Sequence, residues 1–212
     1  CAIAVAGGMK DLNAIRLVRK RGILMQNTVP AGVGAMCAVM AMDAEEIERV
    51  IEDIDGVTIA NYNCPGQIVI TGKKEAVEEA AERLKEAGAK RTVMLNVSGP
   101  FHSPLLVPAG EELAKELEHT EVYPLKVPYV TNVTASKVED IVDTKALLAE
   151  QVSSPVRWMQ SMEAMIEDGV DIFVEIGPGR TLAGFMKKIN RDVKVFNIAS
   201  WDDVEKVVGE LC

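Results

Sequence analysis

The sequence predicts an α/β protein in which a small α/β unit is set into a larger α/β domain, and three observations carry that expectation. Residues 34–97 alternate strand and helix periods in the order βαββαβ. On either side of that stretch, short apolar runs again alternate with amphipathic helical stretches. The chain has 212 residues, 48% of them apolar, which suffices for one domain of ordinary size carrying an insertion.

The opening Cys1-Ala2-Ile3-Ala4-Val5-Ala6-Gly7-Gly8 reads as a helix already under way, without an initiator Met, a basic flank or a cap, so a preceding segment is expected. Asp11 is expected to cap a helix running to about Met25, with Ala14, Leu17, Val18 and Met25 as its apolar stripe. Gly34 to Met42 follows as a strand, and Asp43 with Glu46 forms a capping box ahead of Ile47, Val50, Ile51 and Ile54. Val57 to Tyr62 and Gln67 to Thr71 are strands joined by the turn-rich Asn63-Cys64-Pro65-Gly66. Val77, Ala80, Ala81 and Leu84 line a second helix with Gly88 at its end, and Arg91 to Val97 is the last strand. This βαββαβ order is the ferredoxin-like plan, too small to be the whole protein, so 34–97 is expected as a subdomain between 1–33 and 98–212.

Further on, helices are expected at Pro104–Leu117, Thr144–Gln151 and Val156–Ile166, with a strand at Val127–Thr131. Phe173-Val174-Glu175-Ile176 is a short strand running into Gly177-Pro178-Gly179. After it comes a helix with Leu182, Phe185, Met186 and Ile189 on one face. That glycine turn lacks the lysine of a P-loop and the third glycine of a dinucleotide fingerprint, so a tight structural turn is preferred to a phosphate cradle. Val193–Ile198 and a helix over Trp201–Leu211 close the chain.

Charge and cysteine usage narrow the function classes. With 32 Asp+Glu against 23 Lys+Arg, a nucleic-acid partner held through phosphate contacts is not expected. No stretch reaches the length of a membrane span. Cysteines at 1, 37, 64 and 212 have no ligand-type spacing, which points away from a zinc site or a secreted disulfide framework and toward a reducing cytoplasm.

Two side chains stand out as candidates for chemistry. The chain has two histidines. His119 falls at the polar end of a helical stretch, where an imidazole caps the last carbonyls in solvent. His102 follows an apolar run, inside the Gly/Pro-rich loop Ser98-Gly99-Pro100-Phe101-His102-Ser103-Pro104, and is the candidate general base. Arg21 projects between Leu17 and Val18 on the inward face of its helix and therefore needs an anionic partner. A core carboxylate and a substrate carboxylate both remain open from the residues alone.

Six ordered motifs then point to one family. These are Arg16-Leu17-Val18-x-x-Arg21-Gly22-x-x-Met25-Gln26, Gly34-Ala35-Met36-x-Ala38-Val39, Asn61-x-Asn63-x-Pro65-Gly66-Gln67-x-Val69-Ile70-x-Gly72, Gly99-Pro100-Phe101-His102-Ser103, Pro155-Val156-x-Trp158 and Glu175-Ile176-Gly177-Pro178-Gly179-x-x-Leu182-x-Gly184. Across nearly the full length the chain resembles the malonyl-CoA:acyl carrier protein transacylases of fatty-acid synthesis. The resemblance implies an α/β-hydrolase-like acyltransferase core carrying a ferredoxin-like subdomain.

It also implies a ping-pong acyl transfer, in which a serine on a Gly-x-Ser-x-Gly elbow takes the malonyl group from CoA and the phosphopantetheine thiol of acyl carrier protein receives it. His102 matches the family's base, and Gln151 matches the position whose backbone carbonyl orients it. Arg21 matches the residue that grips the malonyl carboxylate, Phe101 resembles the bulky residue of malonyl-selective members, and Asn63 is carried over as substrate-binding. No metal or cofactor is implied beyond the substrates malonyl-CoA and acyl carrier protein, and a monomer is expected. Carrier-protein docking would use Arg16, Arg19 and Lys20, or Lys187, Lys188 and Arg191.

No serine of the chain stands in a Gly-x-Ser-x-Gly context. The elbow and the usual oxyanion donors are expected upstream of Cys1, and the 212 residues alone are expected to be inactive. Two alternatives accompany this expectation: an acyltransferase domain of a polyketide synthase, and a non-catalytic fragment binding CoA or carrier protein.

Overall fold

The computed structural model describes residues 1–211, so Cys212 lies outside the described residues. They form two compact units, residues 1–161 and the remainder from Met162.

The first unit opens with a short α1 (Ala2–Val5) and a long α2 (Asp11–Thr28). Asp11 is the first helical residue rather than the cap: Lys10 occupies the cap position, no side chain closes the helix start, and the helix runs three residues beyond Met25. As N1, Asp11 still places a negative charge in the first turn, where the helix dipole favours it. Ala14 and Met25 are buried, but Val18 is 52% exposed, so the inward stripe is narrower than the sequence implied.

The βαββαβ stretch forms β1 (Gly34–Met40), α3 (Ala44–Ile51), β2 (Val57–Cys64), β3 (Gln67–Lys73), α4 (Lys74–Glu86) and β4 (Arg91–Met94). The strands pair antiparallel in the order β2-β3-β1-β4, the ferredoxin-like arrangement. The Asp43 side chain accepts the Glu46 N–H at 3.0 Å, as the capping pattern requires. Pro65-Gly66 forms the β2–β3 turn, with Gly66 at φ 70°, the left-handed value demanded of the third residue of a type II turn.

Both faces of this sheet are covered. On one side Val39, Ile59 and Ile70 pack with Ile47 of α3 and Val77 and Leu84 of α4. Each such burial contributes about 1.5–3 kcal/mol. On the other side Met36, Ala60 and Val69 pack against Leu95 and Phe101, which belong to the segment leading to His102. Gly34 is needed at that face, because a Cβ there would lie 2.3 Å from Pro100 Cγ.

A 3-10 turn (Pro104–Leu106) leads into α5 (Val107–Glu118), and α6 (Thr144–Glu150) follows the short pair β5 (Tyr129–Val130) and β6 (Lys137–Val138). Leu106, Leu113 and Leu117 join Met25, Val29 and Val152 in one apolar cluster. This cluster seats α2 against α5 and fixes the chain just past α6. Helix α7 (Trp158–Glu167) begins in the first unit and continues into the second.

The second unit holds β7 (Ile172–Ile176), α8 (Thr181–Ile189), β8 (Lys194–Ile198) and α9 (Trp201–Leu211), with β7 and β8 parallel. Met186 and Ala183 form the buried side of α8, whereas Leu182 is exposed. The Gly177-Pro178-Gly179 turn brings the Glu175 carboxylate onto the start of α8, where it accepts the Leu182 and Ala183 N–H groups at 3.1 and 2.8 Å. The helix start thus already holds an anion supplied by its own chain, which favours the structural turn over a phosphate cradle.

Candidate active site

His102 sits in the loop between β4 and the 3-10 turn with φ 60°, a left-handed conformation uncommon for a side chain of this size. Its neighbours fix the loop. The Ser103 hydroxyl, fully buried, donates to the Pro100 carbonyl at 2.7 Å, and Pro100 itself lies on the Cβ-less face of Gly34. Phe101 is half-buried and packs into the clusters on both sides of the loop.

The imidazole is held through one nitrogen. His102 Nδ1 lies 3.1 Å from the Gln151 carbonyl oxygen and 3.1 Å from that of Ser154. Both partners can only accept, so Nδ1 carries the proton and Nε2 keeps its lone pair. Burial and then the Arg21 charge lower the His102 pKa, outweighing the two carbonyls, which act to raise it. A neutral imidazole with Nε2 unprotonated is the form that accepts a proton at neutral pH.

Arg21, on α2, lines the same cavity of about 360 Å³ as His102, with Cys1, Asn132 and Gln151 adding further polar groups. Its Nε is buried without a hydrogen-bond partner, and burial lowers its pKa from the usual guanidinium value. Among the described residues no carboxylate pairs with it, and none lines the cavity. A half-buried arginine whose Nε is buried and unpartnered, facing a cavity without an anion, fits a carboxylate supplied by a ligand.

The fold therefore brings His102, Gln151 and Arg21 to one cavity from segments far apart in sequence. Phe101 packs beside the cavity without lining it. Asn63 lies on β2, half-buried next to a register shift between Tyr62 and Cys64, and does not line it either. Ser154 and Asn132 escaped the sequence reading. Ser154 contributes a main-chain carbonyl, which no side-chain pattern marks, although its place before Pro155 biases it toward extended backbone. His119 ends α5 as its cap residue, exposed as expected.

The two basic clusters differ. Lys20 pairs with Glu116 at 2.7 Å, whereas Lys187, Lys188 and Arg191 line a second cavity of about 580 Å³ in the second unit. Among the described residues, no group of three or more His, Cys, Asp or Glu could hold a metal ion, and no helix is long and apolar enough to cross a membrane.

Residues 1–210 match the acyl transferase domain family. The chain is 44% identical over 214 residues to the malonyl CoA-acyl carrier protein transacylase of Bacillus subtilis strain 168, covering 99% of this chain and 68% of that protein. The chain belongs to the malonyl CoA-acyl carrier protein transacylase family. A Staphylococcus aureus transacylase is 42% identical, with coverage of 91% of this chain and 64% of the relative. The crystal structure of the Clostridium perfringens transacylase superposes with a TM-score of 0.95 at 41% identity, covering 99% of this chain and 67% of that one. A similar transacylase, solved in complex with a type II polyketide acyl carrier protein, gives 0.95 at 38% identity, with 99% and 69% coverage. The chain thus spans about two thirds of the length of these relatives.

Proposed function

We propose that the protein containing these residues transfers a malonyl group from malonyl-CoA to the phosphopantetheine thiol of acyl carrier protein. The observation that carries this reading is the shared cavity. A neutral imidazole with a free Nε2 and a guanidinium without an anionic partner line the same space. Family membership supplies the substrate class.

In this reading the nucleophile is a serine outside residues 1–212. Its hydroxyl attacks the thioester carbonyl as His102 Nε2 takes the proton; the C–S bond then breaks and the CoA sulfur leaves with that proton. In the second half the carrier-protein thiol gives its proton to His102 and attacks the malonyl ester, and the proton returns to the serine oxygen. Gln151 and Ser154 hold the ring through Nδ1. Arg21 receives the malonyl carboxylate; an acetyl group would leave its buried Nε unpaired, which discriminates against that group.

The same reading takes 34–97 as a subdomain inserted between 1–33 and 98–212; Phe101 and Asn63, which do not line the cavity, would meet parts of the substrate that extend beyond it. It places the reaction in the cytoplasm, with the protein working as a monomer without a cofactor.

The test uses the 212 residues joined to a segment bearing a Gly-x-Ser-x-Gly elbow. Incubation with malonyl-CoA should give a covalent malonyl adduct by intact mass, discharged by holo acyl carrier protein and absent in His102→Ala. A folded protein that forms no adduct, or a His102→Ala variant that transfers at the parent rate, refutes the reading.

A further inference from the structure

Strand β2 is the outer strand of its sheet, and an outer strand presents unpaired N–H and C=O groups along its free edge. Here the middle of that edge is met by a residue from far along the chain. The Val156 N–H donates to the Ala60 carbonyl at 2.7 Å, and the Tyr62 N–H donates to the Val156 carbonyl at 2.9 Å, forming a parallel bridge opposite Asn61. The strand departs from regular register on both sides of that point, between Ile59 and Asn61 and again between Tyr62 and Cys64. Such irregularities re-aim an edge.

Two residues before Val156 stands Ser154, whose carbonyl holds His102 Nδ1, and the residue between them is Pro155. A proline with fixed φ passes position along the chain with little slack. One residue after the bridge, the Arg157 guanidinium lies over the Tyr62 ring, 5.5 Å from its centroid, and Arg157 N–H donates to the Asn132 carbonyl at 3.1 Å. Tyr62 is buried, and its hydroxyl donates to Glu48 of α3 at 2.8 Å, so the ring is anchored from behind. Among the described residues Arg157 makes no ion pair, and its guanidinium stacks on the Tyr62 ring. None of Tyr62, Glu48 and Arg157 lines the cavity.

We propose that Tyr62 and Arg157 are positioning residues: their stack, with the Val156 bridge to β2, fixes the 151–154 turn whose two carbonyls hold the His102 ring in its Nδ1–H form. The ferredoxin-like subdomain thereby acts on the imidazole through main chain. The consequence for catalysis rests on His102 being the base; the structural claim does not.

The test is the 15N spectrum of the imidazoles in the 212-residue chain, which contains two histidines. The parent should show His102 as the Nδ1–H tautomer. Arg157→Ala and Tyr62→Leu should move it toward a mixture with the Nε2–H form and broaden its signals. Arg157→Lys, which keeps a cation over the ring, and Tyr62→Phe, which keeps the ring, should retain the parent tautomer. His119 should not move in any variant. Folded Arg157→Ala protein with the parent tautomer and line width overturns the proposal, as does a Tyr62→Phe effect equal to that of Tyr62→Leu. If Tyr62→Leu fails to fold, the half-buried Arg157 pair of variants decides. In the protein carrying the serine segment, Arg157→Ala should lower kcat roughly tenfold to a hundredfold with KM for malonyl-CoA unchanged. Transfer at the parent rate by His102→Ala would remove the base assignment while leaving the tautomer result standing.

Discussion

Gly34→Ala tests how tightly the β1 end of the subdomain is fitted to the His102 loop. An added Cβ would lie 2.3, 2.5 and 2.6 Å from Pro100 Cγ, Cδ and Cβ. Comfortable carbon–carbon contact is about 3.5–4.0 Å, so the two segments must part by about 1 Å or more. Neither side yields easily. The pyrrolidine ring cannot rotate away, the Pro100 carbonyl is tied to the buried Ser103 hydroxyl at 2.7 Å, and β1 is paired with β3 from Gly34 onward. Overpacking of this kind costs about 1–3 kcal/mol. For a chain of this length each kcal/mol lowers Tm by about 2–4 °C, so a fall of roughly 2–12 °C is expected. Thermal unfolding measures the cost, and the imidazole signals of His102 report whether the loop has moved. A Tm within 1 °C of the parent, at about the precision of the method, with His102 signals unshifted would refute the close-approach argument.

Gly22→Ala is the counterpart: it lies inside α2 with nothing within 4 Å of an added Cβ, and should stabilise by about 0.5–1 kcal/mol in denaturant unfolding. Ser103→Ala should cost about 1–3 kcal/mol by leaving the Pro100 carbonyl without its donor, as read from the same unfolding midpoints. Stability should also fall with acid through His102. Its folded-state pKa is lowered by burial and by Arg21, so below about pH 6.5 the unfolded chain binds the proton first. The loss grows as pH drops from that value to the lowered folded-state value and is constant beneath it. Comparing unfolding midpoints at neutral and acid pH, the drop should be smaller in His102→Gln, and an equal drop would count against this assignment.

The local elements were legible where one physical signal dominated. The Asp43 cap and the Trp201–Leu211 helix stand where their sequence signals put them, and of the expected 63–66 turn Pro65-Gly66 forms the turn while Asn63 and Cys64 extend the strand; the signals that held depend on residues a few positions apart. Errors arose where a distant partner decides. The strand expected to reach Val97 ends at Met94, where its ladder with β1 stops opposite Cys37, with one further bond from Leu95 N–H to the Met36 carbonyl. Val18 matches the helical period of its stripe but borders the cavity that Arg21 and His102 line, and remains 52% exposed.

The candidate site was legible through its side chains and silent in its main chain. His102 and Arg21 carry charge or lone pairs that have to be satisfied, so their types and surroundings single them out. The groups that orient His102 are carbonyls, identical at every position, and even with Gln151 supplied by resemblance the second acceptor at Ser154 had no signal. Among the described residues, the His102 imidazole is held by main-chain carbonyls alone. Substitutions at 151 or 154 leave the acceptors in place, whereas the residues that decide where those acceptors lie are Val156, Arg157 and Tyr62, joined by the bridge and the stack. Gly34 constrains the loop that carries His102, through its close approach to Pro100. Three of these four, Tyr62, Arg157 and Gly34, do not touch the cavity, so its chemistry should be more sensitive to the fit of the subdomain than to side-chain identity at the orienting positions themselves.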